Sequence, residues 1–241
     1  MNTYEHKLDG GASLAFETSD EAFVPTGTSA VLIEGVRRAG LTYAKALDLG
    51  CGVGIVGIVL AREGVIGQPV HASDLSENAV ELARRNYATH GVEGVVRRGS
   101  LFEPWKGETY DLVIDDISGV AEPVARLSPW FRNVPCESGR DGTHLVREVI
   151  AQAPRYLNAN GRLVFPVLSL SHAGTILDEA RKAFAHVELV TRKEWPLPKS
   201  MAPHAAELRR LAAEGLIGIT EKFGMLLWST EVYVAHRGAK T

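Results

Sequence analysis

The chain has 241 residues, 26 Lys and Arg against 29 Asp and Glu for a net charge of −3, and is 45% apolar and 23% charged. That balance excludes disorder, collagen-like repeats and coiled coil. No apolar run approaches the ~18 residues of a membrane span, and the start MNTYEHKLDGG has no signal-peptide apolar segment. Two cysteines, Cys51 and Cys136, provide neither a disulfide framework nor a structural zinc site. The mildly acidic balance argues against a general nucleic-acid binder, which normally shows a basic face. The expectation is a cytoplasmic globular protein with no metal and no membrane contact, its oligomeric state open.

In chain order, a helix is predicted over 28–39, with Thr28 or Ser29 as N-cap and Val31, Leu32 and Val36 on its apolar face. The first predicted strand, AKALDLG (44–50), enters a glycine-rich turn and the helix GIVGIVLAREG. The second, PVHASD (69–74), leads into SENAVELARRNYATHG, a helix with Ser76 as N-cap and Val80, Ala83 and Tyr87 on one face. A short strand over 94–98 and the apolar strand YDLVIDD (110–116) follow. A loop rich in Pro, Gly and Ser then runs to Asp141-Gly142. The helix THLVREVIAQAPRYLNANG presents Leu145, Val149, Ala153 and Tyr156 on one face; Pro154 is expected to kink it and Gly161 to stop it. Next come the strand RLVFPVLSL, a helix near 172–184 and a strand near 186–192. Residues 196–222 form an insertion with its own short helix, and GMLLWSTEVYVAHR is a final apolar strand. Alternating strands and helices from about 45 to 192 are the α/β pattern of a parallel sheet. With no separating linker, one domain is expected over 1–241: a covering segment 1–43, a core 44–195, the insertion 196–222 and the final strand 223–241.

The most informative stretch is Asp48-Leu49-Gly50-Cys51-Gly52-Val53-Gly54, at a strand-to-helix switch. Glycines allow the tight turn and close approach of a ligand to the backbone, where the helix offers free N–H donors. Gly52, Gly54 and Gly57 also satisfy the dinucleotide spacing G-x-G-x-x-G, and Asp74 follows Gly57 by 17 residues, near the ~20 expected. Charge separates the two readings. A pyrophosphate over this turn is repelled by Asp48, whereas the sulfonium and ammonium of S-adenosylmethionine are attracted by it. Asp74, ending the second strand, can accept hydrogen bonds from both ribose hydroxyls.

On these residues the sequence resembles class I S-adenosylmethionine-dependent methyltransferases from Thr26 to the final strand. The resemblance implies a doubly wound, Rossmann-like, seven-stranded, mostly parallel sheet with helices on both faces and an antiparallel last strand. DLGCGVG matches the family's first motif and implies cofactor contacts at Asp48, Gly50, Gly52 and Gly54. SDLSENAVELARRN matches the second and implies Asp74, with Leu75 packing on adenine. GSLFEP (99–104) is similar to the family's GDLFEP: Ser100 stands where an acid accepts from the adenine amino group, and Leu101 is positioned to meet adenine through its backbone N–H. The chain is similar in particular to the branch with release-factor glutamine and ribosomal-protein methyltransferases, through FVPTGTSAVLIEGV and ESGRDGTHLVREVIAQAPRYLNANGRLVF. In that branch the first of these segments packs over the cofactor, which implies contacts from Thr26 and Thr28.

The reacting position departs from the branch. Relatives that modify glutamine or adenine carry Asn-Pro-Pro-Tyr at the end of the fourth strand to grip and stack a planar NH₂ group; here Asp116-Ile117-Ser118-Gly119 stand there. Amide methylation is therefore not expected. Asp116 could instead orient an amine, accept a proton or hold a cation; its plain structural alternative is a turn cap. Strand alternation puts Asp115 on the other face, as the structural member of the pair. Arg132, Arg140 and Lys199 could rim the pocket or be surface charges; Trp130, Phe131 and Trp195 could form an aromatic wall or cover the core. His71 reads as a hydrogen-bonded sheet residue, His144 as an exposed helix start, and Cys51 as filler.

The expected function is methyl transfer from S-adenosylmethionine to an amine or oxygen of a small molecule, with Asp116 as the catalytic residue. A small acceptor is favoured because the loop 116–142 and the insertion could cover a pocket. A protein side chain is the alternative, and nucleic acid is disfavoured on charge. From other classes, a nicotinamide-dependent oxidoreductase and a non-catalytic cofactor-binding subunit stay open.

Overall fold

A computed structural model of the chain describes residues 2–8, 10–131, 134 and 136–238. It opens with a feature the sequence reading lacked, an antiparallel hairpin of β1 (Asn2–Lys7) and β2 (Ser13–Thr18). Phe16 of this hairpin is fully buried, and Asn86 ties it to the body by accepting from the Glu17 N–H and donating to the Glu17 carbonyl. Then follow α1 (Gly27–Arg38), β3 (Ala46–Leu49), α2 (Ile55–Arg62), β4 (Val70–Asp74), α3 (Glu77–Thr89), β5 (Gly94–Arg98) and β6 (Tyr110–Asp115). The second half holds α4 (Glu122–Leu127), α5 (His144–Gln152), β7 (Leu157–Leu168), α6 (Ala173–Ala183), β8 (His186–Pro196), α7 (Ala205–Ala213), β9 (Thr220–Lys222) and β10 (Met225–His236).

The main sheet runs β5-β4-β3-β6-β7-β10-β8, with the short β9 added against β10. β5, β4, β3, β6 and β7 are parallel; β10 inserts antiparallel between β7 and β8. The implied seven-stranded sheet with an antiparallel last strand is thus present, and β9 makes an eighth strand. Helices cover both faces. Val31, Leu32, Ile33 and Val36 of α1 share one apolar cluster with α2 and α3, while Val146, Val149 and Ile150 of α5 share another with Ile176 and Ala180 of α6. Each such fully buried aliphatic side chain contributes roughly 1.5–3 kcal/mol of transfer free energy.

Three local expectations are corrected. The N-cap of α1 is Thr26, whose hydroxyl accepts from the Thr28 N–H at 3.3 Å, rather than Thr28 or Ser29. The predicted helix over 143–161 ends at Gln152, because Pro154 lacks the N–H an α-helix needs and a single 3₁₀ turn follows. Gly161 therefore lies inside β7, where the pairing with β6 shifts register, and stops no helix. The loop after β6 also contains α4, whose Val124 and Ala125 join Leu208 and Leu211 of α7 and Trp228 in a third cluster beyond the carboxyl edge of the sheet. Ser76 caps α3 as expected, accepting from the Ala79 N–H at 3.3 Å. Among the described residues no helix is long and apolar enough to cross a membrane.

Candidate active site

A cavity of about 510 Å³ opens at the carboxyl ends of the parallel strands, within the range of small-ligand sites. Its floor is the glycine turn after β3. Gly50, Gly52 and Gly54 have φ of +69°, +53° and +86°, left-handed conformations that side chains disfavour. A Cβ on Gly50 would lie 2.7 Å from Ile117 Cγ1 and 3.2 Å from the Asp116 carbonyl, so the turn can pass the end of β6 only with glycine there.

Nine of the eleven predicted site residues line this cavity: Thr26, Thr28, Gly50, Gly52, Asp74, Leu75, Ser100, Leu101 and Asp116. Asp74 ends β4 and is held by backbone: its carboxylate accepts from the Gly52 N–H at 3.0 Å and the Ser76 N–H at 2.8 Å. Burial raises its pKa despite these bonds. Leu75 stands 60% exposed at the mouth, which makes it an open apolar face. Ser100 is exposed and Leu101 takes a positive φ of 47°, so the chain turns sharply beside the cavity.

Asp48 and Gly54 are not in the lining. Asp48 is fully buried; its side chain points beneath the turn to the first turn of α2, where it accepts from the Gly57 N–H at 3.1 Å. Burial pushes its carboxyl up to about 7, with the Gly57 bond opposing and Asp74 adding to the rise. Its other oxygen has no hydrogen-bond partner. The direct contact with a cation expected of Asp48 is thus replaced by support of the turn. Gly54 caps α2 and abuts the ring of Tyr87, 3.0 Å from where a Cβ would sit.

Asp116 follows β6 and continues its pairing by donating its N–H to the Leu49 carbonyl at 2.9 Å. Its exposed part faces the cavity, and one carboxyl oxygen accepts from the buried Ser29 hydroxyl at 3.5 Å. Burial raises its pKa well above the ordinary carboxyl value, and Asp48, Asp115 and Asp74 raise it further while Ser29 opposes. Asp115 faces the opposite way, as alternation predicts. It is fully buried, accepts from the Ile117 N–H at 3.1 Å, and is pushed by burial to about 7.

The structure adds residues that sequence reasoning missed. Ser29 was legible only as a helix start. Glu21, Phe23 and Glu137 line the cavity from the two segments that cover it. Phe23 meets Phe131 with ring centroids 5.3 Å apart, so the covering segments touch. The hydroxyls of Ser118 and Ser138 and the Cys136 thiol form a cluster at 3.2–3.4 Å that braces the loop after Asp116. Apart from Cys136–Ser138, these contacts join positions distant along the chain, so no local sequence signal marks them.

Other candidates fall outside. Trp130 packs on Trp228, and the Trp195 indole donates to Thr230 at 3.3 Å, so of the three aromatics only Phe131 lines the cavity. Arg140 pairs with Glu214, Lys199 is not in the lining, and Arg132 lies outside the described residues. His71 bonds the Tyr110 hydroxyl at 2.9 Å inside the sheet, and His144 is exposed beside Glu148. Cys51 is buried and its thiol is held well up by burial and the neighbouring aspartates. Among the described residues no group of three or more His, Cys, Asp or Glu could hold a metal.

Fold and site together define the class at the level of architecture: a Rossmann-like α/β domain with a ligand-sized cavity at the carboxyl ends of its parallel strands. Residues 24–116 match the family described as "Methyltransferase small domain". The chain is 29% identical over 172 residues to the release factor glutamine methyltransferase of Geobacter sulfurreducens, covering 68% of this chain and 59% of that protein. It is 33% identical over 162 residues to the ribosomal protein uL3 glutamine methyltransferase of Bordetella pertussis, covering 63% and 54%. The chain therefore spans just over half the length of these curated relatives. A 16S rRNA methyltransferase of T. thermophilus, solved with AdoMet and guanosine, shares the fold with a TM-score of 0.62 at 12% identity, covering 98% of this chain and 50% of that one. The chain is also 31% identical over 136 residues to the ribosomal RNA small subunit methyltransferase C of Alcanivorax borkumensis, covering 56% of this chain and 36% of that protein, so the disfavouring of nucleic acid on net charge is not supported.

Proposed function

We propose that this chain is an S-adenosylmethionine-dependent methyltransferase acting on a nitrogen or oxygen nucleophile. One observation carries the reading. Four acidic residues, Glu21, Asp74, Asp116 and Glu137, line the cavity at the glycine turn, and among the described residues no Lys, Arg or His does. A dinucleotide would bring its pyrophosphate into this negative field unpaired, whereas a sulfonium cation is stabilised there. The residues fit the donor. Asp74 would hold the ribose hydroxyls, the exposed faces of Leu75 and Leu101 would flank adenine with Ser100 at its edge, and Gly50 and Gly52 would let it approach the backbone. Thr26 and Thr28 would close over it, and Asp48 and Gly54 would act indirectly by shaping the turn.

When bound, the donor supplies a methyl carbon on a sulfonium: the nucleophile's lone pair bonds to carbon and the broken carbon–sulfur pair stays on sulfur. The chain's own task is to exclude water and align the acceptor, which the Phe23–Phe131 contact over the cavity supports. Asp116 stands at the acceptor end, where it can take a proton or hold charge. The cavity must hold donor and reacting group together, which supports a small molecule as acceptor. A single protein side chain is the second reading, supported by the names of the glutamine-methylating relatives. Action in the cytoplasm belongs to the same proposal.

Calorimetry tests the reading. The demethylated donor, S-adenosylhomocysteine, is expected to bind in the micromolar range, about −8 kcal/mol, and NADH not to bind. Binding of NADH alone would reverse the assignment.

A further inference from the structure

Resting on the methyltransferase reading above, we infer that the group methylated here is an alkylammonium nitrogen, which enters the cavity as a cation and gives a proton to Asp116. The acceptor end of the cavity is walled by Ile117, Val120, Leu145 and Leu168, with Asp116, Ser29 and Ser118 as its polar groups. Both hydroxyls there are engaged, Ser29 with Asp116 and Ser118 with Cys136 and Ser138. A neutral amide would find an acceptor for its N–H, but neither of these two hydroxyls is free to donate to its carbonyl. An alkylammonium carries only donors, and its alkyl stem suits the apolar walls.

Charge points the same way. The Ser29 hydroxyl from α1 contacts Asp116, and the groups whose charge acts on it are Asp48 beneath the glycine turn, Asp115 on the opposite face, Asp74 from β4 and the Cys51 thiol. All are acidic or neutral. A cation is the guest that relieves their mutual repulsion. Glu21 and Glu137, exposed at the rim on the two covering segments, extend the negative field outward and would draw a cation in.

The same crowding makes Asp116 a competent proton acceptor, since burial and three neighbouring carboxyls raise its proton affinity. The ammonium N–H bond breaks toward an Asp116 carboxylate oxygen, the electron pair stays on nitrogen as the nucleophilic lone pair, and Asp116 later releases the proton to solvent. Ser29 is a positioning residue: its hydrogen bond orients the carboxylate and favours the ionised form.

The test uses three probes of equal chain length, n-hexylamine, hexanamide and 1-hexanol, titrated calorimetrically into the full chain with and without S-adenosylhomocysteine. Hexylamine is expected to bind at least about tenfold tighter than hexanamide or hexanol, as a charge-assisted hydrogen bond requires. In Asp116→Asn this preference should collapse while S-adenosylhomocysteine binding is retained, which also reports an intact fold. In Ser29→Ala the hexylamine preference should persist, but its pH midpoint should move up, because a bond stabilising the carboxylate is lost; Ser29→Thr should restore it. If S-adenosylhomocysteine binds while hexylamine binds no tighter than the neutral probes, or not at all, the inference falls and the methyltransferase reading stands. If S-adenosylhomocysteine does not bind, the reading beneath the inference falls with it.

Discussion

Two aspartates stand at the ends of the parallel strands β4 and β6, which flank β3, and face one cavity, yet the chain treats them differently. Asp74 has both carboxyl oxygens held by backbone amides, Gly52 on one side and Ser76 on the other. Asp116 has one long contact, 3.5 Å to the Ser29 hydroxyl, and lies among other acids. A carboxylate pinned by amides has a fixed direction and suits a ligand feature of fixed geometry, such as a pair of ribose hydroxyls. A carboxylate held loosely in a low-dielectric site can turn and change protonation state. The contrast is that the backbone amides around the end of β4 fix a carboxylate's direction, whereas after β6 a single long hydroxyl contact leaves it less constrained; on the proposed function the first is an anchor and the second a reactive group.

The largest expected effect breaks the reactive side of that comparison. Asp116→Asn keeps the shape and removes the charge, so turnover should fall by roughly 10²–10⁴ with donor affinity unchanged, if it is a general base. Full activity at low and saturating acceptor would return Asp116 to a turn cap, and a change confined to KM would make it a cation anchor only.

Next come changes on the anchoring side. A Cβ on Gly57 would meet the Tyr87 hydroxyl at 2.2 Å and Asp48 at 3.2 Å. Gly57→Ala should therefore destabilise by about 1–3 kcal/mol, and adding Tyr87→Phe should recover part of the melting temperature by removing that oxygen. No recovery would mean that the strain lies at Val70 or Asp48, 3.1 and 3.2 Å from the same Cβ, instead. Asp74→Ala should weaken S-adenosylhomocysteine by ~1–3 kcal/mol through loss of charge-assisted hydrogen bonds. An unaltered dissociation constant would deny Asp74 its anchoring role.

A pH experiment sharpens the comparison through Asp115, the buried neighbour that faces away from the cavity. Its carboxyl is raised by burial from 3.8 to about 7. The folded state therefore holds a proton that the unfolded state has lost, and stability should fall as pH rises from about 4 to about 7, then level off. Melting temperatures measured across that window should decline, and Asp115→Asn should flatten the decline and be relatively stabilised at pH 8. A slope untouched by Asp115→Asn would assign it to Asp48, which is raised to the same region.

The smallest effect concerns Ser100. Restoring the family's acid with Ser100→Asp should leave S-adenosylhomocysteine affinity unchanged or improved. A folded variant weaker by more than tenfold, about 1.4 kcal/mol, would show that Ser100 does not sit at the adenine edge.

Local patterning was enough to read the alternation of strands and helices, the glycine turn after β3, the acid at the end of β4 and the absence of the amide grip after β6. These follow from local rules: apolar periodicity, glycine's access to positive φ, and the parity that separates Asp115 from Asp116. Parity says which face a side chain takes but not what waits there, and the tertiary structure decided that. It turned Asp48 onto the Gly57 N–H beneath the turn, so the acid that first suggested a cationic ligand shapes the site from below while Asp74 and Asp116 face the cavity. It brought Ser29 from α1 to Asp116, 87 positions away, and set Phe23 against Phe131 as cover. It also built the β1–β2 hairpin, held by Asn86 of α3, where the alternation of Leu14 and Phe16 after Gly10-Gly11 is too short to stand out by itself. In each case the deciding quantity is satisfaction of a buried polar or apolar group by a partner distant along the chain, and no local pattern encodes which partner that will be.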